Sequence, residues 1–161
     1  MAVDMFVKID GVDGESKDSK HTKEMDILAW SWGMSNSGSA QSGGGGGSGK
    51  VNVQDLSFTK YVDSATPKLM LACCNGTHYD EVDMVVRKSG GTAVEYIKIK
   101  LEEVLITSIS TGGSGGEDKL TENVTLNFAK FKFDYTPQDD KGKAGTAIPA
   151  SWDIAANIKG S

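Results

Sequence analysis

Four stretches of this chain alternate apolar and polar side chains with a period of two, and that pattern commits most of the sequence to β-strands with one buried face. Val82, Met84 and Val86 alternate with Asp83, Val85 and Arg87; Ile97, Ile99 and Leu101 alternate with Tyr96, Lys98 and Lys100. Val124, Leu126 and Phe128 share one face of the next stretch, and Phe131, Phe133 and Tyr135 share one face of the last. The phase slips at Glu102-Glu103, before Val104 and Ile106, and again at Ala129-Lys130. Such slips predict bulges that bend a strand, as strands must bend to close a barrel or wrap two sheets together.

Shorter strands complete the set. Val3 to Ile9 is predicted to end at the turn-forming pair Asp10-Gly11. Met25 to Met34 reads as one long strand with Leu28, Trp30 and Trp32 on one face and Ile27, Ala29, Ser31 and Gly33 on the other. Val51, Val53, Leu56 and Phe58 have strand character with a register slip, and Trp152, Ile154 and Ile158 offer a short closing strand after the 137–149 loop. Turns are expected at Gly90-Gly91 and along Gly112 to Gly116.

One helix stands out. Thr66 can cap it, Pro67 suits its first turn, Leu69, Ala72 and Cys73 share a face, and Gly76 suits a left-handed exit. The expected fold is therefore mainly β: a small antiparallel β-barrel or sandwich of seven to eight strands with one short flanking α-helix. Strands and helices do not alternate, so a parallel α/β fold is excluded. At 161 residues the chain is sized for one domain, 1–161, which by scaling buries roughly 70% of its unfolded surface.

Charge and composition narrow the function. A formal charge of −5 with a single arginine, Arg87, lacks the basic stripe of a nucleic-acid binder. No apolar stretch approaches the roughly 20 residues of a membrane helix, and Met1 to Ile9 lacks the pattern of a cleaved leader. Adjacent Cys73 and Cys74 diverge on any regular element, so they read as free thiols.

Catalytic vocabulary is sparse. Residues 35–50 are nearly all Ser and Gly and are expected to be mobile until a partner surface orders them. Within them Gly44, Gly49 and Lys50 imitate a phosphate-binding loop, but Val51 stands where a magnesium-binding Ser or Thr belongs, and strand-like residues follow where a helix is needed. Gly112-Gly113-Ser114-Gly115-Gly116 fits the nucleophile-elbow string, yet lies between antiparallel-looking strands and reads as a turn. His21 and His78 sit at no metal spacing and read as solvated or locally hydrogen-bonded, and Val12 breaks a calcium-loop pattern in Asp10 to Asp18. No catalytic residue, metal or cofactor is assigned.

Several longer motifs together resemble one family. Phe6-Val7-Lys8-Ile9-Asp10-Gly11, Gly14-Glu15-Ser16, Trp30-Ser31-Trp32-Gly33, the Gly43 to Lys50 loop, Asp55-Leu56-Ser57-Phe58-Thr59-Lys60, Arg87-Lys88-Ser89-Gly90-Gly91 and the run Leu120 to Lys130 closely resemble the Hcp (haemolysin-coregulated protein) family of type VI secretion systems. The resemblance runs from Met1 to about Asn157. It implies a non-enzymatic homo-hexamer whose rings stack into the inner tube of a contractile injection machine, with secreted effector proteins carried in the lumen and with the tail sheath and trimeric spike as further partners. It also implies assembly in the bacterial cytoplasm, then secretion by that system without a cleaved signal peptide, and it leaves no room after the barrel for the toxin domain of extended members.

Two surfaces follow as expectations. Ser31, on the small-residue face of its strand, is expected to line the lumen where effectors bind. The loop residues Gly43, Gly44, Gly45, Gly46, Gly47, Ser48, Gly49 and Lys50 are expected to make contacts between rings or subunits. The competing reading, which composition alone allows equally, is a ligand- or glycan-binding β-sandwich.

Overall fold

The alternating stretches form strands that close on themselves. The structure, a computed structural model, describes residues 2–38, 49–89 and 93–161. In chain order its elements are β1 (Val3–Ile9), β2 (Met25–Ser31), β3 (Met34–Ser35), β4 (Asn52–Val53), β5 (Leu56–Tyr61), α1 (Thr66–Asn75), β6 (His78–Lys88), β7 (Glu95–Thr111), β8 (Thr121–Tyr135), β9 (Ile148–Asp153) and β10 (Ile158–Lys159). Strands β8, β5, β2, β1, β6 and β7 are hydrogen-bonded in that order, and β7 returns to β8. The result is a closed six-stranded barrel, with β9 and β10 added along β8 and a small β3–β4 hairpin beside it.

The long strand β8 makes this possible by changing partners along its length. Leu56 to Tyr61 of β5 pair with Leu126 to Thr121, whereas Ile148 to Asp153 of β9 pair with Tyr135 to Lys130. Its other edge is held by β7 throughout, from Ile97↔Tyr135 to Thr111↔Glu122.

Both slips read in the sequence fall at one level of the sheet. Glu102 pairs with Lys130, flanked by Leu101↔Phe131 and Val104↔Phe128. Leu101, Val104, Phe128 and Phe131 are all buried, so β7 and β8 change phase side by side and keep their register. Glu103 adopts φ 55°, a left-handed conformation that bends β7 there. A true register shift lies farther on, between Ile106 and Ser108.

The core fills the barrel with Val7, Ile9, Met25, Ile27, Leu56, Phe58, Val82, Met84, Val86, Ile99, Leu101, Val104, Val124 and Leu126. Leu69 and Ala72 of α1 join it from outside the strand ladder. Gly76 leaves the helix with φ 69°, its N–H donating to the Ala72 carbonyl. Cys73 and Cys74 are free thiols, the first half-buried and the second exposed.

Three expectations are corrected. The strand Met25 to Met34 is broken: β2 ends at Ser31, and Met34-Ser35 leaves it to pair with Asn52-Val53. A bulge between Ile27 and Ala29 makes Leu28 the extra residue, so Ile27 is buried and Leu28 is exposed, while Trp30 and Trp32 still turn inward. Thr66 does not cap α1; the N-cap is Ala65, and the Asp63 carboxylate accepts the Ala65 N–H at 3.0 Å instead. The closing strand is two pieces, β9 and β10, joined by a turn, with Asn157 at φ 58°. The Gly90-Gly91 turn lies outside the described residues.

Candidate assembly and cargo surface

Inward positions of the barrel are not all apolar. Lys60 follows Leu56 and Phe58 on the inner face of β5, and Glu122 precedes Val124 and Leu126 on that of β8; the two are register partners and both are fully buried. Lys60 Nζ pairs with Glu122 and with Asp63 Oδ1 at 2.7 Å, and donates to the Tyr61 carbonyl at 3.1 Å. The Thr66 hydroxyl, free of the capping role, donates to Glu122 Oε1 at 2.6 Å and accepts the Asp63 N–H at 3.1 Å. This closed set of contacts joins β5, β8 and the start of α1. Its central pair, Lys60 and Glu122, is fully out of solvent, which marks it as structural.

The outer face of the same strands is different in kind. Ser31 is exposed on β2, opposite Trp30 and Trp32, and its register partner on β5 is Ser57, which in turn faces Thr125 on β8. Around them the face continues with hydroxyls and amides: Thr59 donates to Asn123 Oδ1 at 2.6 Å, and Thr107 donates to Asp55 Oδ2 at 2.8 Å. Asn127 Nδ2 donates to Asp55 Oδ1 at 2.9 Å, and Ser108 and Thr125 share a hydrogen bond of 2.6 Å. Asp55, the one carboxylate in this group, is thereby held by two donors. The sequence reading named Ser31 alone of the residues on this face. The signal was present in the strand period, because Ser57, Thr59, Asn123, Thr125 and Asn127 occupy alternate positions.

Of the loop candidates, Gly43, Gly44, Gly45, Gly46, Gly47 and Ser48 lie outside the described residues. Gly49 and Lys50 are described: the Gly49 carbonyl accepts from Asn36 Nδ2 at 2.8 Å, and its N–H donates to the Ser37 carbonyl at 3.2 Å. Both line a groove of about 480 Å³ with Met34, Val53, Phe131 and Trp152. Lys50 leads through Val51 into β4 and not into a helix, so the oriented N–H donors of a phosphate loop do not follow it. Ser114 lies in the connection between antiparallel β7 and β8, away from any helix start. Ser31 is not among the residues that line the Lys50 groove.

Charged pairs cover the sheet between β1 and β7. Lys100 Nζ pairs with Glu81 Oε1 at 3.0 Å, while burial, together with the charge of Glu81, pushes Asp83 up to about 6. Because the folded protein holds that proton more tightly than the unfolded chain, stability should fall as pH rises from about 4 to 6. Asp83→Asn is expected to remove this dependence and to stabilise the protein at pH 7 by about 1 kcal/mol, a value discounted for the partial exposure of the group. Urea titrations of both proteins at pH 4, 5, 6 and 7 measure it; parallel curves would show that Asp83 is an ordinary surface carboxylate.

No helix is long and apolar enough to cross a membrane, and no three metal-ligating side chains converge among the described residues. Of the two readings of His21, solvated or locally hydrogen-bonded, the structure shows the second, with Nδ1 facing Glu24 of the same loop. It is buried, with its ring stacked on Phe6 at a centroid distance of 4.3 Å.

Comparison with known proteins accounts for this architecture. Residues 6–135 match the family described as "Type VI secretion system effector, Hcp". Protein hcp1 of Pseudomonas aeruginosa is 63% identical over 161 residues, which is 99% of each chain. Among solved structures, a type six secretion system protein superposes with a TM-score of 0.93 at 33% identity, covering 99% of this chain and 100% of that one. Hcp1 from Salmonella typhimurium superposes with a TM-score of 0.81 at 34% identity, covering 99% of both. A type VI secretion system effector from Yersinia pestis gives 0.75 at 35% identity, over 93% of this chain and 99% of its own. The closed barrel with its single flanking helix, the match across most of the sequence and these full-length relatives place the chain in the Hcp family of the type VI secretion system.

Proposed function

We propose that this chain, 1–161 acting as one unit, forms homo-hexameric rings that stack into the inner tube of a type VI secretion system and carry small effectors in the lumen. The observation that supports this most is the 63% identity to Protein hcp1 over 99% of both chains. In this reading the chain is a conduit without catalytic activity. It assembles in the bacterial cytoplasm, leaves through the apparatus, and meets the sheath outside the tube and the spike at its tip. The 35–50 segment contacts the neighbouring ring or subunit.

The hydroxyl and amide face around Ser31 faces the lumen in this arrangement. Its side chains are small, and those of Thr59, Thr107, Asn123 and Asn127 are already engaged with one another or with Asp55, so it offers cargo a flat polar wall with few charges. Light scattering tests the assembly: a mass six times that of one chain, with annular particles in negative stain, is expected, and a strict monomer at high concentration would count against it. Ser31→Trp tests the cargo surface. It is expected to leave the ring mass and melting temperature unchanged and to reduce co-purified effector about tenfold, the effect of about 1.4 kcal/mol of lost binding. Undiminished co-purification would remove Ser31 from the lumen wall.

A further inference from the structure

Residues 10–24 join β1 to β2 and fold back along the barrel, held at three places. At the start of α1, the Ser64 N–H donates to Glu15 Oε2 at 3.1 Å and Lys68 Nζ donates to the Gly11 carbonyl at 2.9 Å. On β6, Arg87 pairs with Asp18, its Nη1 donating to Oδ1 at 3.0 Å, and also reaches Asp4 on β1 at 3.4 Å. That guanidinium holds Asp18 down to about 2, so this second tie persists across ordinary pH. The third is His21. Its Nδ1 meets Glu24 of the same loop, and its Nε2 meets Glu95 Oε1 at the start of β7 at 2.8 Å.

Each imidazole nitrogen thus faces a carboxylate oxygen, and an ionised carboxylate only accepts. A neutral imidazole has one N–H, so its other nitrogen would turn a lone pair toward a carboxylate; only the imidazolium donates to both. We infer that His21 is a pH-dependent latch, which as an imidazolium fastens the 10–24 loop to β7 and releases one of its two carboxylates when it gives up a proton. The Phe6 ring stacks on the imidazole from β1, Arg87 lies 5.0 Å from the centroid of that ring, and Lys98 competes for Glu95 at 3.5 Å. The ring is thus set between the carboxylates of Glu24 and Glu95, with the cations Arg87 and Lys98 beyond them. The latch is closed while both ring nitrogens carry protons and weakens when one proton leaves. The ties through Asp18 and Glu15 remain, so the loop loosens without the barrel opening.

Amide hydrogen exchange of the whole protein at pH 5.5 and 8.5, each rate corrected for intrinsic chemistry with unstructured peptides, reads the latch. Residues 10–24 are expected to lose about tenfold in protection at the higher pH, the scale of one charge-assisted hydrogen bond, while α1 does not change. Glu95→Gln supplies an amide that can donate or accept, so it should keep the loop protected at both pH values and abolish the difference. Nitrogen chemical shifts of the His21 ring give a reading that does not depend on any variant: both nitrogens should carry protons at pH 5.5. A loop equally protected at both pH values, a Glu95→Gln protein with the wild-type pH dependence, or a neutral His21 tautomer at pH 5.5 would each overturn the inference.

Discussion

Lys60→Met should cost the protein about 3–5 kcal/mol of folding free energy, a large share of the 5–15 kcal/mol typical of a domain. Removing the ammonium takes away its pairings with Asp63 and Glu122 and its bond to the Tyr61 carbonyl. It also strands Glu122 inside the barrel, where Oε2 already has no hydrogen-bond partner and Oε1 would keep only the Thr66 hydroxyl. An unpaired carboxylate at that depth is the main source of the loss. The double variant Lys60→Met with Glu122→Leu separates the terms, because replacing both charges with apolar side chains of similar volume is commonly neutral or stabilising. Denaturant unfolding should therefore place the double variant near or above wild type. A double variant as unstable as Lys60→Met alone would show that shape, and not an orphaned charge, dominates the site.

Phe58→Ala is the second large effect, about 3–5 kcal/mol. Phe58 is 1% exposed at the middle of β5, register-paired with Trp30 on β2 and Val124 on β8, so its ring occupies the space those strands enclose. Closed hydrogen bonding all round the barrel restricts how far the strands can collapse into the space left behind, and a void that cannot collapse keeps its full penalty. Unfolding followed by tryptophan fluorescence at matched protein concentration would measure it, since subunit association adds stability by mass action. A cost below about 1 kcal/mol would mean that the interior repacks freely.

Much of this fold was legible from the period of the sequence. The inward positions of β6, β7 and β8 can be listed from alternation alone, and the slips at Glu102-Glu103 and Ala129-Lys130 marked the bend correctly. Alternation could not show that the two slips lie opposite each other, because pairing between strands is a long-range property. The bulge at Leu28 escaped for a related reason: Ile27 and Leu28 are both apolar, so the pattern does not reveal which of them turns inward. Lys60 and Glu122 sat in phase with buried neighbours all along, and each was passed over because a lone charge at an inward position is costly unless its partner is known. His21 was read as an ordinary loop residue, since its partners Glu95 and Phe6 are distant in sequence. Ser31 stood out through the family motif around it, whereas its hydroxyl neighbours are ordinary strand residues until the strands are set side by side.

The division of β8 between two partners has a mechanical consequence. Force applied along β7 and β8 loads their shared ladder in shear, so many hydrogen bonds must give way together before the strands slide. Among the described residues, β9 pairs with the barrel along residues 130–135 of β8, and β10 pairs with β9. A pull at right angles on that edge strains one bond at a time, like a zip. Under load the molecule therefore has a stiff rib and a peelable flap, and the flap can detach while all six staves of the barrel stay joined.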